Sequence, residues 1–136
     1  MTDTDGFDRR RALAALGGMF LLPAAAADAA PALFMVFFDA GSAQVDNAVA
    51  VIAGQAAKKV QKKQRVTIAG YCDTAEKNAD KLSLARAAVV VGAMVAAGVE
   101  PSVVMTVLGK GAAEPRVATG PNVDEPQNRR VEIVLE

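Results

Sequence analysis

Short apolar runs alternate along the chain with longer segments whose apolar residues recur at helical spacing, and this alternation restricts the fold more than any other feature. Four runs are short enough, and rich enough in aromatic or branched residues, to predict strands at 33–38, 65–72, 103–108 and 129–135. Two segments with helical spacing predict helices near 46–63 and over 82–96. The predicted order is therefore βαβαββ.

The ends of the two predicted helices carry residues that are typical of helix termini. Asp46 is expected to cap the first helix, because its carboxylate can accept a free N–H of the first turn. Gly98 is expected to end the second helix, and Pro101 follows it. A loop rich in Gly and Pro then runs over 109–127, and a loop of that length in a compact domain is usually functional or disordered.

These elements predict an α/β fold, a two-layer sandwich in which a mixed four-stranded sheet carries both helices on one face. Two helices are few for four strands, which favours placing both on the same face. Each βα unit predicts parallel neighbouring strands with a right-handed crossover. Hydrophobic residues make up 52% of the chain and many of them are alanine, so we expect small residues to pack between helices and sheet.

Residues 1–29 have the order of features of a secretory signal peptide, which leaves 30–136 as the one predicted domain. Three arginines at 9–11 precede an apolar run at 12–22 and then a string of alanines. The paired arginines resemble a twin-arginine signal, and the Sec route is the alternative. We expect cleavage after Ala29, with Ala27 as the second choice. An uncleaved membrane anchor is disfavoured because a helical span needs about 20 apolar residues.

The chain has no histidine, which excludes several classes of enzyme and metal site. Ser-His-Asp and Cys-His nucleophiles cannot form, and neither can zinc sites built on histidine. The single cysteine, Cys72, cannot form an internal disulfide and is predicted to be buried. The 15 basic and 15 acidic residues balance without a basic stripe, which argues against a nucleic-acid partner. We therefore predict a binding protein, not an enzyme, with no cofactor and no metal.

Three separated segments carry a resemblance to a known family. They are FD at 38–39, GYCDT at 70–74 followed by LSLARA at 82–87, and NRRVEI at 128–133. In this order they resemble the OmpA-like C-terminal domain family, which includes Pal and MotB, across about residues 33–136. The resemblance implies non-covalent binding of peptidoglycan through the diaminopimelate of its stem peptide, in support of cell-envelope integrity. Together with the predicted signal peptide, it implies a periplasmic protein associated with the cell wall or outer membrane. The mature sequence has no apolar run long enough to predict a transmembrane helix.

Two opposite charges, Asp73 and Arg86, form the centre of the predicted ligand site. Diaminopimelate presents an ammonium and a carboxylate on one carbon, so it requires one fixed anion and one fixed cation. Asp73 follows a strand, at the sheet edge where open α/β sheets bind ligands, and is expected to accept the ammonium. Arg86 lies in the first turns of the next helix and can donate two parallel hydrogen bonds to the carboxylate. The alternative is an internal salt bridge between the two.

Five further residues complete the predicted site. Thr74 is expected to add a contact beside Asp73. Asp39 is either a second acceptor that faces the ligand or only the end of a strand, and Arg129 is expected to line the pocket. The remaining two, Asn78 and Leu82, belong to the matched region, although Leu82 also suits helix packing.

The loop between Asp73 and Arg86 departs from the family pattern. It is two residues shorter than the common spacing and lacks the family's loop glycine, so we expect a different pocket rim. Tyr71 and Cys72 stand where the family usually has His and Thr. The second functional hypothesis is an envelope module for protein–protein interaction that has lost the cell-wall ligand. The third, a thiol enzyme using Cys72, requires a lowered thiol pKa.

Overall fold

The computed structural model describes residues 32–136, and these contain four strands and two α-helices in the predicted order. They are β1 (Ala32–Phe37), α1 (Asn47–Lys59), β2 (Arg65–Gly70), α2 (Ala79–Ala96), β3 (Val104–Gly109) and β4 (Arg130–Leu135). A short 3₁₀ helix, Pro126–Asn128, precedes β4. The βαβαββ order is confirmed, whereas the predicted signal peptide at 1–29 lies outside the described residues. Neither helix in this part of the chain combines the length and apolarity that a membrane span requires.

The sheet is mixed, as predicted, and its strand order is β1-β4-β2-β3. β4 pairs antiparallel with both β1 and β2, and β2 pairs parallel with β3. The expectation that both βα units join neighbouring strands is right for β2 and β3 but wrong for β1 and β2, because β4 lies between them. Alternate residues of β4, namely Val131, Ile133 and Leu135, are buried, which suits a central strand with one covered face.

The two helices pack against each other and against the sheet, and the core combines alanines of the helices with larger apolar residues of helices and sheet. The buried residues of the helices are Val49, Ala53, Ala56 and Ala57 in α1 and Ser83, Arg86, Ala87, Val90 and Met94 in α2. Asp46 caps α1 as predicted, since its carboxylate accepts a hydrogen bond of 2.9 Å from the N–H of Val49. The alanines allow the helices to approach closely, and branched side chains of the sheet fill the remaining space.

The start of α2 lies against the carboxyl end of β2. The helix begins at Ala79, earlier than the predicted Leu82, and its first hydrogen bond runs from the N–H of Leu82 to the carbonyl of Asn78 at 2.9 Å. Asn78, the residue before the helix, is left-handed (φ 52°). A Cβ atom on Gly70, the last residue of β2, would lie only 1.9 Å from the backbone oxygen of Ser83. Glycine is therefore required at this position, and the close contact brings Arg86 of α2 to the end of β2.

Candidate functional site

Arg86 is fully buried (0% exposed) beside the segments that follow β1 and β2. Three backbone carbonyls accept hydrogen bonds from it: Ser42 from Nε at 2.8 Å, Tyr71 from Nη1 at 3.0 Å and Asp39 from Nη2 at 3.0 Å. Nη1 also donates to Oε1 of Glu76 at 2.8 Å, and Nη2 donates to Oε2 of the same carboxylate. A guanidinium has five N–H groups. These five hydrogen bonds therefore give every N–H of the Arg86 guanidinium an acceptor within the protein.

The Glu76 carboxylate is surrounded by donors. Besides Arg86, it accepts the N–H of Asp73 at 3.0 Å and the N–H of Gly41 at 2.8 Å. Burial by itself raises the pKa of Glu76, but the hydrogen bonds from Arg86 and from these two N–H groups outweigh burial and hold the pKa below its usual range. We call this place, formed by the Arg86 guanidinium and the N–H groups of Gly41 and Asp73, the carboxylate site. Glu76 occupies it.

The side chain of Asp73 is also buried, and it pairs with Arg129. Oδ1 accepts the N–H groups of Ala75 and Glu76, both at 3.0 Å. Oδ2 accepts the N–H of Glu125 at 3.0 Å and Nη1 of Arg129 at 3.1 Å. Burial tends to raise the pKa of Asp73, but these four hydrogen bonds lower it. Because a carboxylate has about four acceptor positions, a ligand ammonium can reach Asp73 only by replacing one of these donors.

Arg129 connects the end of β1 to the start of β4. Its Nε donates to the backbone oxygen of Phe38 at 3.0 Å, and its Nη1 donates to Asp124 as well as to Asp73. Burial tends to lower the pKa of Arg129, but the two carboxylates raise it. A cavity of about 360 Å³ is lined by Phe37, Phe38, Asp39, Pro126, Gln127 and Arg129. Two predicted site residues, Asp39 and Arg129, therefore border the same cavity.

A second cavity, of about 420 Å³, borders the carboxylate site. It is lined by Gly41, Lys77, Asn78, Lys81, Leu82 and Ala85. Gly41 belongs to both places, since its N–H donates to Glu76. Two further predicted residues, Asn78 and Leu82, lie here, and the two lysines give the cavity a positive charge that suits a ligand carboxylate.

Thr74 attaches the long loop before β4 to the end of β2. Its hydroxyl donates to the backbone oxygen of Gly120 at 2.7 Å and accepts the N–H of Val123 at 2.9 Å. The buried Asn128 makes two similar hydrogen bonds of 2.8 Å with the backbone of Val117. The long loop is therefore held against the site by side chains of two of the three matched segments.

The predicted site residues lie at one edge of the sheet, but their charges are paired in an unexpected way. The internal salt bridge considered between Asp73 and Arg86 is wrong, because Arg86 pairs with Glu76 and Asp73 pairs with Arg129. Glu76 is missing from the predicted set. It is the only acid in the short loop 74–79, and this signal could have identified it as a partner for Arg86.

Cys72 is buried beside the carboxylate site, as predicted, with 1% of its surface exposed. Burial, together with the negative charge of Glu76, raises the pKa of its thiol to about 12. The thiol is therefore protonated at neutral pH, whereas a nucleophilic cysteine needs a lowered pKa. The thiol-enzyme hypothesis has no support from this environment.

Comparison with known proteins gives a family match and one related sequence. The sequence profile of the OmpA family matches residues 37–129. An outer membrane protein of Gluconacetobacter diazotrophicus is 36% identical over 112 residues, in an alignment that covers 75% of this chain. The same alignment covers 29% of that protein, so the chain spans less than a third of its relative's length.

Solved structures share the fold. The peptidoglycan-associated lipoprotein from Burkholderia pseudomallei aligns with a TM-score of 0.61 at 21% identity, covering 76% of this chain and 90% of the other. The cell wall anchor of the T6SS from Pseudomonas aeruginosa aligns with a TM-score of 0.59 at 24% identity, covering 77% of this chain and 80% of the other. At these identities the likeness shows the fold alone.

Proposed function

Because the chain belongs to the OmpA family, we propose that it is a binding module of the cell envelope, not an enzyme, and that its ligand is peptidoglycan. One protein with the same fold is named a peptidoglycan-associated lipoprotein, and another is a cell wall anchor. The related sequence is an outer membrane protein. These relatives support both the envelope location and the wall ligand.

The carboxylate site is the observation that carries this proposal. Its donors, the Arg86 guanidinium and the N–H groups of Gly41 and Asp73, converge on one carboxylate at distances of 2.8 to 3.0 Å. Charge-assisted hydrogen bonds of this bidentate kind are strong and fix the orientation of the acceptor. We propose that a carboxylate of stem-peptide diaminopimelate binds here.

The ammonium on the same diaminopimelate carbon must then find an acceptor close by, and we propose Asp73. Of the four donors to Asp73, the N–H of Glu125 is neutral and lies outside the turn 73–76, so it is the one we expect the ammonium to replace. Asp39 is a second candidate acceptor. The remaining predicted residues, Thr74, Asn78, Leu82 and Arg129, are proposed to shape the pocket around the stem peptide.

We further propose that residues 1–29 direct export to the periplasm and are removed after Ala29, so that domain 30–136 meets the cell wall. The arginines at 9–11 and the apolar run after them support this export signal. Mass spectrometry of the protein isolated from cells should give an amino terminus at Ala30. An intact amino terminus on protein from the periplasm would contradict the proposed cleavage.

Sedimentation with insoluble peptidoglycan tests the ligand. The protein should sediment with a wall that contains diaminopimelate, and free diaminopimelate should release it because it carries the same zwitterion. Arg86→Lys keeps the charge but loses the planar fork, so it should greatly reduce sedimentation. Glu100→Ala, a change before β3 at the opposite end of the sheet, should have no effect. Equal sedimentation with a wall that has lysine in place of diaminopimelate would contradict the proposal.

A second candidate function, protein–protein interaction without a wall ligand, is favoured by one observation. Glu76 already fills the carboxylate site from within the chain. On this hypothesis neither the wild type nor Glu76→Ala sediments with peptidoglycan. Sedimentation of either protein, with release by diaminopimelate, would favour the wall ligand instead.

A further inference from the structure

The carboxylate site holds a carboxylate that the chain itself supplies. We propose that Glu76 is an internal competitor, which keeps the site closed until an incoming carboxylate replaces it. The inference rests on the proposed function for its natural ligand, diaminopimelate in the stem peptide. The site can also be tested without that ligand, because any small carboxylate matches the group that Glu76 presents.

The closed arrangement leaves a ligand no access to Arg86. The side chain of Arg86 is 0% exposed and that of Glu76 is 4% exposed, and every N–H of the guanidinium has an acceptor in the protein. A ligand carboxylate can therefore bind to Arg86 only where Glu76 now binds. Binding of the ligand carboxylate and departure of Glu76 from the site are therefore coupled.

Departure of Glu76 would leave the rest of the site in place. Arg86 keeps its hydrogen bonds to the backbone oxygens of Ser42, Tyr71 and Asp39, which do not involve the loop 74–79. The N–H of Gly41 follows β1 and also lies outside that loop. The opened site is thus preorganised for a second carboxylate of the same geometry.

The loop that carries Glu76 has an open side. Ala75 and Lys77, the residues on either side of it, are exposed, so the loop backbone is not enclosed by the core. The cavity lined by Lys77 and Lys81 borders the site at Gly41, and its positive charge attracts carboxylates. We infer that ligand enters through this cavity as the Glu76 side chain turns out toward solvent.

The size of the effect follows from a two-state equilibrium between closed and open sites. The affinity of a ligand is reduced by the fraction of molecules that are open, and minor states of this kind have populations of about 0.1–10%. Removal of Glu76 should therefore raise the affinity for a carboxylate by about tenfold to a thousandfold. A neutral glutamine, which has the same shape but brings an N–H₂ group toward the donors, should open the site as well.

The test is calorimetric titration of the whole protein with propionate and, separately, with free diaminopimelate. Glu76→Ala and Glu76→Gln should each bind propionate at least about tenfold more tightly than the wild type does. Glu100→Ala removes a carboxylate far from the site and should match the wild type. If both Glu76 variants fold and bind propionate no more tightly than the wild type, the inference is overturned. If neither variant folds, it is also overturned, because Glu76 would then be part of the required structure.

These titrations, combined with sedimentation of the same variants with insoluble peptidoglycan, separate this inference from the proposed function. Tighter propionate binding by the Glu76 variants, without binding of diaminopimelate or peptidoglycan by any protein, would support internal competition and contradict the wall ligand. Binding of wild type and variants to peptidoglycan with equal affinity, and no gain for propionate, would support the wall ligand and contradict internal competition.

Discussion

Oε1 of Glu76 lies 2.8 Å from Nη1 of Arg86, and at most 4% of either side chain is exposed to solvent. A buried ion pair is by itself weak evidence of stability, because the loss of hydration offsets much of the attraction between the charges. The two partners are also unequal, since Arg86 donates to three backbone oxygens besides Glu76, whereas Glu76 accepts two backbone N–H groups besides Arg86. This asymmetry leads to the first prediction.

Loss of Arg86 should destabilise the fold more than loss of the Glu76 charge. Arg86→Ala leaves a buried carboxylate without its cation and removes a donor from three carbonyls, of which only Asp39 keeps another, the N–H of Ser42. We therefore expect it to lower the free energy of unfolding by about 3–5 kcal/mol. Glu76→Gln leaves Arg86 with its backbone acceptors and should cost about 1–2 kcal/mol. Urea unfolding at pH 7 measures both. An equal or larger cost for Glu76→Gln would contradict this account of the site.

Low pH should reduce the free energy of unfolding, because it protonates the carboxylates of Glu76 and Asp73. Both have folded pKa values below their unfolded values of about 4.3 and 3.9. The stability that they contribute is therefore fully present above about pH 5 and is lost as the pH falls through their folded pKa values. Urea unfolding between pH 7 and pH 2 should show this decline, with a shallower slope below about pH 4 for Glu76→Gln. An identical decline in both proteins would contradict the lowered pKa of Glu76.

Substitution of two glycines by alanine should have opposite effects. Gly70→Ala places a Cβ atom 1.9 Å from the Ser83 oxygen and should destabilise the fold by about 3 kcal/mol or more, since backbone must move. Gly54→Ala, in α1, places its Cβ more than 4 Å from any atom other than the adjacent residues and backbone of its own helix, and should stabilise by about 0.5–1 kcal/mol. Thermal unfolding of both variants checks the sign of each predicted change in stability. A neutral Gly70→Ala would mean that α2 does not need its close contact with β2.

Cys72 should react slowly with thiol reagents in the folded protein. At pH 8 a thiol with a pKa of about 12 is ionised in about one molecule in ten thousand, compared with about a quarter of molecules at an unfolded pKa of about 8.5. Labelling with a disulfide reagent should therefore be at least about a thousandfold slower in the native protein than in urea. Rapid labelling of the native protein would restore the thiol-enzyme hypothesis.

Much of the fold could be predicted from local sequence patterns. The four strands, both helices and the Asp46 cap depend on residues that are near one another in the chain, and all are found in the structure. Their predicted ends are less exact, since the strand predicted over 65–72 ends at Gly70 and the helix predicted to 63 ends at Lys59. The position of β4 between β1 and β2 depends on pairing between distant segments, and no local pattern specifies it. The apolar spacing of α2 begins only at Leu82, so it does not predict the first helical residues, Ala79 to Lys81, two of which are charged.

The site was predictable in its location but not in its charge pairing. Asp73 and Arg86 lie at the same sheet edge because strand ends and helix starts meet there. Which carboxylate reaches Arg86 depends on the path of the loop between them, and the sequence does not specify that path. The short loop places Glu76 against Arg86, and Asp73 pairs instead with Arg129, which lies near the C-terminal end of the sequence.

The central claim is that the Arg86 guanidinium and the N–H groups of Gly41 and Asp73 bind a ligand carboxylate. Titration of ¹⁵N-labelled protein with free diaminopimelate, followed by two-dimensional NMR, tests it most directly. We predict saturable shifts of the Gly41 and Asp73 amide signals and of the Arg86 Nε–H signal, with smaller or no shifts around Glu100. Saturable binding of diaminopimelate that leaves these three signals unchanged, or no binding even by Glu76→Ala, would contradict the claim.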